Sequence, residues 1–505
     1  MDILNSESEP ELNECQRKCI NFAKSTKEQK RQLLMMIMGG PGTGKTFTIQ
    51  HLLSTPPFKD YNMDEIALGS FSALAACNVA KNTPFHGNTL HHIFGIKVEK
   101  IKASKGEIPP IIRMLHKIRK GNTYGLKLII IDEISMLPAH ILKLIDAILK
   151  RDKSNDNLFG NVDIILSGDY EQLRPVVGES TEDHEITRNF KRFDLIEQKR
   201  TDNMEDQKLL NRVRKREITN EDICRLKKRC IDPLDDLCLR ILKRNPDIND
   251  HNNTTVKEKY MPWKTKTYSF DLIEEKIDES DDLDQFKLTI SNAKDDANLL
   301  DTLKIKEGCP VICRKNCKQM GLDGLEYDIF NGKLGNVYGV TKQYENGKAV
   351  DDVILVKFND IKSIICVKRL TIEVHSGGDN PNIIAKLNQF PLHLCYAITC
   401  WKVQGMTIKD KYVIGYFPSV EEFRQLYVML TRCEKLDNVY FSFKDHTNPY
   451  AFMTLDYFNH KRKKKDKRNI LDYMTSSNVV RIEHTPLPSR ANFEDIISCK
   501  DILLF

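Results

Sequence analysis

The sequence predicts an α/β fold built on parallel sheets, and three largely apolar runs are the observations that predict it. Residues 33–38 and 128–131 have the continuous apolar character that is typical of strands covered on both faces, and residues 162–166 share it apart from Asp163. Each run ends in glycines or polar residues, and parallel sheets collect their ligand-binding groups at that carboxyl edge. The chain has 505 residues, 40% of them apolar, so we expect about three domains with real cores.

The first run leads into a phosphate-binding loop. Residues 39–46 read GGPGTGKT, which fits GxxxxGK[ST] and lies between a predicted strand and a predicted helix. Backbone N–H groups and the helix N-terminus bind phosphate, Lys45 reaches the β- and γ-phosphates, and Thr46 offers a hydroxyl to Mg²⁺. We therefore predict a site for a nucleotide and Mg²⁺ that is lined by Gly39, Gly40, Pro41, Gly42, Thr43, Gly44, Lys45 and Thr46.

The second and third runs bring further groups to the same edge. Residues 128–131 are followed by Asp132 and Glu133, which are placed to hold Mg²⁺ and to activate the attacking water, respectively. Residues 162–166 are followed by Asp169 and Gln172. An amide can both donate and accept, so we predict that Gln172 senses the nucleotide state; a surface glutamine in a loop is the alternative.

Charge and cysteine content limit which partners and metal sites we expect for this protein. Lys and Arg number 77 against 71 acids, a net of +6, and the segment 460–468 (HKRKKKDKR) alone accounts for this excess. That segment suggests nuclear import or a nonspecific DNA-binding arm, with a solvated linker as the alternative. The 14 cysteines are scattered, so we expect reduced thiols and no metal site at Cys309, Cys313 and Cys317. No long apolar run or leader peptide is evident, which predicts a soluble intracellular protein without membrane contacts.

Several other segments fall into a known pattern. They are LNECQ (12–16), GSFSALAACNVA (69–80), TLHHIFGI (89–96), DEISML (132–137), LFGNVDIILSGDYEQLRPV (158–176), NGKLGNV (331–337), PLHLCYAITCWKVQGMT (391–407) and LYVMLTRCEKLDNVYF (426–441). Together they resemble a superfamily 1B DNA helicase of the petite-integration-frequency (PIF) type, with RecD-type enzymes as near relatives. The compact chain also resembles relatives from large DNA viruses.

The resemblance implies two RecA-like P-loop domains that clamp one ATP, with small inserted subdomains of which one is all-β and SH3-like. It implies that Gln16 contacts adenine, that Gln404 and Gly405 contact the nucleotide, and that Arg200 and Arg432 close over the γ-phosphate. The implied activity is ATP-dependent translocation along single-stranded DNA, 5′ to 3′, with unwinding of duplex in replication, recombination or repair.

The resemblance also indicates where the DNA strand is held. We expect His91 and Phe94 in the first domain, and Thr399, Trp401 and Lys402 in the second, to contact it. The family pattern has a histidine where this sequence has Trp401, whose ring can stack on a base instead. Phe94 lies in the apolar stretch HIFGI, so a place in the protein core is the alternative for its ring.

The expected domain bounds follow from the same segments. We predict a first RecA-like domain at 1–192 with a small pin-type insertion at 97–124, and a second at 193–337 and 391–446. A β-rich subdomain at 338–390 and a basic tail at 447–505 complete the chain. We expect a monomer that acts on single-stranded and forked DNA, with replication or repair proteins bound through the tail. An RNA helicase, a DNA-stimulated ATPase that remodels nucleoprotein, and an inactive scaffold are the alternatives.

Overall fold

The computed structural model describes residues 12–96, 111–116, 118, 121, 123–198, 203–229, 238–242, 245–256, 266–277, 283–297, 299–345, 348–376, 382–415 and 423–442. Arg200, the basic segment 460–468, the predicted tail at 447–505 and most of the predicted insertion at 97–124 lie outside these residues.

The described helices are α1 (Glu14–Glu28), α2 (Lys45–Leu53), α3 (Ala73–Ala80), α4 (Leu90–Phe94), α5 (Ile111–His116), α6 (Ala139–Lys153), α7 (Met204–Lys215), α8 (Asn220–Lys227), α9 (Asn245–Thr254), α10 (Leu283–Ala297), α11 (Cys400–Val403) and α12 (Phe423–Leu430).

The described strands are β1 (Leu34–Gly39), β2 (Ile66–Ser70), β3 (Gly87–Thr89), β4 (Leu128–Asp132), β5 (Asp163–Gly168), β6 (Lys191–Leu195), β7 (Leu239–Leu242), β8 (Tyr268–Asp271), β9 (Ile273–Lys276), β10 (Thr302–Ile305), β11 (Pro310–Cys313), β12 (Cys317–Gly321), β13 (Glu326–Ile329), β14 (Leu334–Glu345), β15 (Lys348–Phe358), β16 (Ile365–Val367), β17 (Leu370–His375), β18 (Ile383–Gln389), β19 (Leu392–Leu394), β20 (Ala397–Thr399), β21 (Tyr412–Ile414) and β22 (Val439–Phe441).

A six-stranded parallel sheet forms the first lobe, in the order β3-β2-β4-β5-β1-β6. Its central strands are buried on both faces, as their apolar runs predict. Along β1, Met36 and Met38 pack into the core under α6, while Met35 and Ile37 pack into the core under α1 and α2. The three strands that the sequence places at the site are therefore neighbours, and they end at one edge.

A second parallel sheet forms the second lobe, in the order β20-β7-β21-β22. Helices α7, α8, α11 and α12 cover one face with a core of leucines, isoleucines and cysteines. Helix α9 packs on the other face, where Ile248 contacts Leu242 and Ala397. The prediction of two RecA-like α/β domains with parallel sheets is confirmed.

The remaining strands form three antiparallel sheets. Seven strands in the order β13-β12-β16-β15-β14-β11-β19 make the largest, β8 and β10 pair separately, and α10 packs on β17-β18-β9. The large sheet begins at Pro310, ahead of the predicted start at residue 338. Strands β11 to β13 are short and separated by charged turns, so their alternation is too brief to be recognised from sequence.

The first sheet also extends beyond its predicted end. Strand β6 pairs with β1 through Leu195, so the predicted boundary at residue 192 cuts through a strand. Its pattern, KRFDL, places charged residues on an exposed edge, which hides the strand from a search for apolar runs. Among the residues that the structure describes, no helix has the length and apolar character needed to cross a bilayer.

Candidate nucleotide and nucleic-acid site

The phosphate-binding loop joins β1 to α2 in the predicted way. Gly42 and Gly44 have φ angles of 83° and 84°, a backbone conformation that favours glycine, and Gly44 is the residue that caps α2. The Lys45 ammonium donates to the carbonyls of Gly39 at 2.7 Å and Gly40 at 3.1 Å, and the hydroxyl of Thr43 donates to the Gly40 carbonyl at 2.9 Å. The loop is thus a formed cradle with its lysine folded over it.

Gln16 packs against this loop from α1. Its carboxamide oxygen accepts the backbone N–H of Asn13 at 2.9 Å, and the Asn13 side chain accepts the backbone N–H of Gln16, which together form a capping box. The amide nitrogen of Gln16 lies so close to Gly44 that a Cβ at Gly44 would collide with it. The predicted adenine contact is therefore beside the cradle and is held rigidly by the helix cap.

The acidic pair lies at the end of β4. Asp132 is buried, and burial raises the pKa of its carboxyl to about 6, with repulsion from Glu133 adding to the rise and Lys45 opposing it. Glu133 has a φ angle of 54°, which turns it away from the strand direction. The amide nitrogen of Gln404 donates to the Glu133 carboxylate at 2.9 Å and to the Ser135 hydroxyl at 3.1 Å. A second-lobe amide therefore holds the predicted catalytic carboxylate of the first lobe.

Gln172 and Arg432 meet across the boundary between the lobes. The Arg432 guanidinium donates to the Gln172 carboxamide oxygen at 3.5 Å, and both side chains are buried. Arg432 also donates to the carbonyls of Val428 at 2.7 Å and Val403 at 3.3 Å, so its position is fixed by α11 and α12. The structure brings together the predicted sensor and the predicted arginine, which lie 260 positions apart in the sequence.

Two second-lobe residues that the sequence analysis did not single out also reach the cradle. Arg214 on α7 donates to the fully buried carboxylate of Asp169 at 2.8 Å. A Cβ on Gly40 would lie 2.9 Å from the hydroxyl of Tyr427 and 3.8 Å from Nε of Arg214. Burial alone would lower the pKa of the Arg214 guanidinium. The hydrogen bond to Asp169 and the negative charge of that carboxylate outweigh burial and raise this pKa. Tyr427 lies inside the motif at 426–441, whereas Arg214 belongs to a charged helix whose sequence carries no distinguishing signal.

Gly405 also touches the first lobe. Its carbonyl accepts the side-chain amide of Asn78 on α3 at 3.0 Å, and its φ angle of 82° requires glycine. A Cβ at this position would lie 3.6 Å from Ala75. The segment that carries Gln404 and Gly405 therefore lies directly against the first lobe, next to Glu133.

The predicted DNA contacts divide into buried and accessible residues. Phe94 is fully buried in the first-lobe core, so its ring cannot stack on a base, and the core alternative is the one that the structure shows. His91 is half-buried against Phe71, with ring centroids 5.4 Å apart, and burial lowers its pKa. The Thr399 hydroxyl accepts the backbone N–H of Lys402 at 3.3 Å and caps α11. Trp401 and Lys402 are half-buried, with part of each side chain open to solvent.

Comparison with known proteins agrees with this site. Residues 11–228 match the family described as PIF1-like helicase. The ATP-dependent DNA helicase Pif1 of Campylobacter jejuni is 28% identical over 429 residues, which cover 79% of this chain and 86% of that protein. The ATP-dependent DNA helicase PIF1 of Xenopus laevis is 24% identical over 415 residues, 79% of this chain and 57% of that protein.

Solved structures share the fold. The crystal structure of Pif1 helicase from Candida albicans superposes with a TM-score of 0.66 at 20% identity, covering 86% of this chain and 94% of that one. Bacteroides Pif1 bound to single-stranded DNA gives a TM-score of 0.58 at 23% identity, covering 86% of this chain and 92% of that one. These similarities cover more of the chain than the family match does.

Proposed function

Because residues 11–228 match the PIF1-like helicase family, we propose that this chain is an ATP-dependent DNA helicase of that family. It hydrolyses ATP, moves 5′ to 3′ along single-stranded DNA and unwinds forked duplex during replication, recombination or repair. The observation that carries this proposal is the contact between Gln172 and Arg432 across the lobe boundary. A catalytic site that is divided between two lobes changes whenever the lobes move, which is what a motor requires.

ATP is bound chiefly by the first lobe in this proposal. Backbone N–H groups of the cradle and the N-terminus of α2 bind the phosphates, because they present unpaired donors and partial positive charge. Lys45 neutralises the β- and γ-phosphates. Gln16 lies beside Gly44 and reads the adenine.

The acidic residues suit a magnesium ion. Thr46 and Asp132 would hold it, and when bound it would neutralise charge on the phosphates. Among the residues that the structure describes, no group of three or more acidic, histidine or cysteine side chains forms a metal cluster. Mg²⁺ takes few protein carboxylates and keeps water and phosphate as its other ligands. The raised pKa of Asp132 points the same way, since a cation stabilises the carboxylate that burial disfavours.

The side chains around the γ-phosphate then have separate tasks. Glu133 accepts a proton from the attacking water, and the Gln404 amide holds that carboxylate in place. Gln172 orients the water or the γ-phosphate. Arg432 stabilises the charge that develops on the transferred phosphoryl group, and Arg200 is proposed to do the same. Loss of the γ-phosphate weakens these contacts, so the lobes separate and each lobe can shift its hold on DNA.

The DNA strand is proposed to run past His91 in the first lobe and past Trp401 and Lys402 in the second. The indole of Trp401 stacks on bases without regard to sequence, and Lys402 attracts the phosphate backbone. The basic segment 460–468 adds a nonspecific DNA contact or a nuclear import signal, and the tail at 447–505 is proposed to meet replication or repair proteins. We propose a monomer as the active form.

A strand-separation assay tests the proposed function. Wild-type protein with ATP is expected to unwind a forked duplex that carries a 5′ single-stranded tail and to leave a duplex with only a 3′ tail intact. Lys45→Ala should abolish unwinding, whereas Lys59→Ala, an exposed lysine of the same lobe, should not change it. DNA-stimulated ATP turnover without strand separation would instead favour a nucleoprotein remodeller, and preference for an RNA track would favour an RNA helicase.

A further inference from the structure

The turn from Asp169 to Leu173 follows β5 in the first lobe, yet each of its residues contacts the second lobe. The contacts are Asp169 with Arg214, the Tyr170 carbonyl with Arg424, Glu171 with Arg216, Gln172 with Arg432, and Leu173 with the second-lobe core. The predicted sensor is therefore carried by a segment whose surroundings come largely from the opposite lobe.

Asp169 determines the shape of this turn. Its carboxylate accepts the backbone N–H of Glu171 at 3.2 Å, and its carbonyl accepts the backbone N–H of Gln172 at 3.0 Å. The same carboxylate is fully buried and accepts Nη2 of Arg214 at 2.8 Å. A buried charge that loses its partner is strongly destabilised, so Asp169 holds this geometry only while Arg214 is in place.

Arg214 is close to the phosphate cradle as well as to the turn. Its Nε lies 3.8 Å from the position that a Cβ on Gly40 would take. The Gly40 carbonyl also accepts the Lys45 ammonium, the group expected to reach the β- and γ-phosphates. Arg214 thus connects α7 of the second lobe to the turn and to the end of the cradle where hydrolysis takes place.

We propose that Arg214 is a positioning residue that sets Gln172 for hydrolysis only while the second lobe is docked on the first. The inference rests on the proposed function, because it concerns the rate of the same ATP hydrolysis. When the lobes separate, Arg214 withdraws from Asp169, the turn loses its support, and Gln172 leaves its working position. ATP hydrolysis is thereby restricted to the closed arrangement of the lobes.

Steady-state ATPase kinetics with saturating single-stranded DNA test this role. In Arg214→Gln, kcat should fall about tenfold to a hundredfold, because small displacements of positioning groups have effects of this size. The KM for ATP should change by less than about threefold, since Arg214 does not contribute uniform binding. Arg214→Lys, which keeps a cation, should recover part of kcat. The matched control is Arg212→Gln: Arg212 lies on the same helix but pairs with Asp222 inside the second lobe, at 2.6 Å.

A double-mutant cycle separates positioning from a general loss of structure. If Arg214 acts through Asp169, each substitution removes the same interaction. The double variant Asp169→Asn/Arg214→Gln should then be no slower than the slower single variant. Thermal unfolding of each variant shows whether it is folded.

Three results would overturn the inference: wild-type kcat in Arg214→Gln, an equal loss in Arg212→Gln, or additive losses in the cycle. A wild-type protein without DNA-stimulated ATPase activity would overturn the proposed function itself, and this inference with it.

Discussion

The two lobes are built on the same kind of parallel sheet but contribute to the site in different ways. The first lobe supplies short continuous segments directly at strand ends, among them the cradle after β1 and Asp132 after β4. The second lobe supplies single side chains from separate helices, such as Arg214 from α7 and Tyr427 from α12. One lobe therefore forms a fixed binding surface, whereas the contribution of the other depends on how it docks.

This difference has a physical basis. Backbone N–H groups in the cradle are held by local hydrogen bonds and positive φ angles, so they keep their geometry wherever the second lobe lies. Arg432 and Arg214 have long side chains whose first-lobe partners, Gln172 and Asp169, are lost when the lobes part. Nucleotide binding should therefore depend mostly on the first lobe, and the rate of hydrolysis on the second.

The largest expected effect comes from Arg432, which contributes charge from the second lobe. In Arg432→Lys we expect kcat for ATP to fall by about 10³-fold or more, because an ammonium lacks the planar fork that holds the carbonyls and the γ-phosphate together. ATP affinity, measured by equilibrium titration, should change far less. Lys435→Ala, an exposed cation three positions further on, is the control and should behave as wild type. A decrease in kcat smaller than tenfold would show that Arg432 does not act in the hydrolysis site.

A stability effect distinguishes a core aromatic from a surface aromatic. Phe94→Ala should lower the free energy of unfolding by about 3–5 kcal/mol, because the ring is fully buried and a cavity would remain. The folded fraction should bind single-stranded DNA as wild type does, as measured by fluorescence anisotropy. Phe94→Leu is the milder companion variant. Weaker DNA binding by folded Phe94→Leu, with unfolding unchanged, would contradict the core role.

Trp401 should show the opposite behaviour. Its side chain is half-buried at the second-lobe surface, so Trp401→Ala should weaken binding of single-stranded DNA by about 1–3 kcal/mol, the usual value of base stacking. Trp401→Phe should retain most of the affinity. Since stacking does not depend on salt-sensitive charge, the loss should be similar at low and high salt in an anisotropy titration. Unchanged DNA affinity in Trp401→Ala would show that the strand does not contact Trp401.

The smallest predicted effect concerns the amide that holds Glu133. Gln404→Ala removes a hydrogen bond worth about 1 kcal/mol, so kcat for ATP should fall about fivefold. Gln404→Glu should be slower still, because it places a second carboxylate beside Glu133. Equal rates in both variants would show that the contact has no part in hydrolysis.

The sequence predicts the site residues of the first lobe better than those of the second, because the first lobe supplies them in continuous segments at strand ends. The cradle, Asp132 and Gln172 each follow an apolar run, so local pattern and the rule of the carboxyl edge are enough to bring them together. Arg432 was found through its motif, and the structure places it on Gln172. Arg214 could not be found in this way, because its role depends on a contact with Asp169 that only the docking of α7 creates.

The errors in the sequence analysis have similar origins. HIFGI contains no periodicity that separates a buried face from an exposed one, so the burial of Phe94 depends on where α4 packs. The boundary at residue 338 was wrong because β11 pairs with β14 and β19 across long sequence separations. Elements defined by local composition were predictable, and those defined by distant partners were not.

The central claim is that one ATP is bound by both lobes at once. Hydrogen–deuterium exchange with a non-hydrolysable ATP analogue and single-stranded DNA measures this most directly. We predict that the analogue slows exchange in three regions together: the cradle at 39–46, the turn at 169–173, and the segment 428–433, which contains the end of α12 and the residues after it. Protection confined to the cradle, with the other two regions unchanged from the nucleotide-free protein, would contradict the claim.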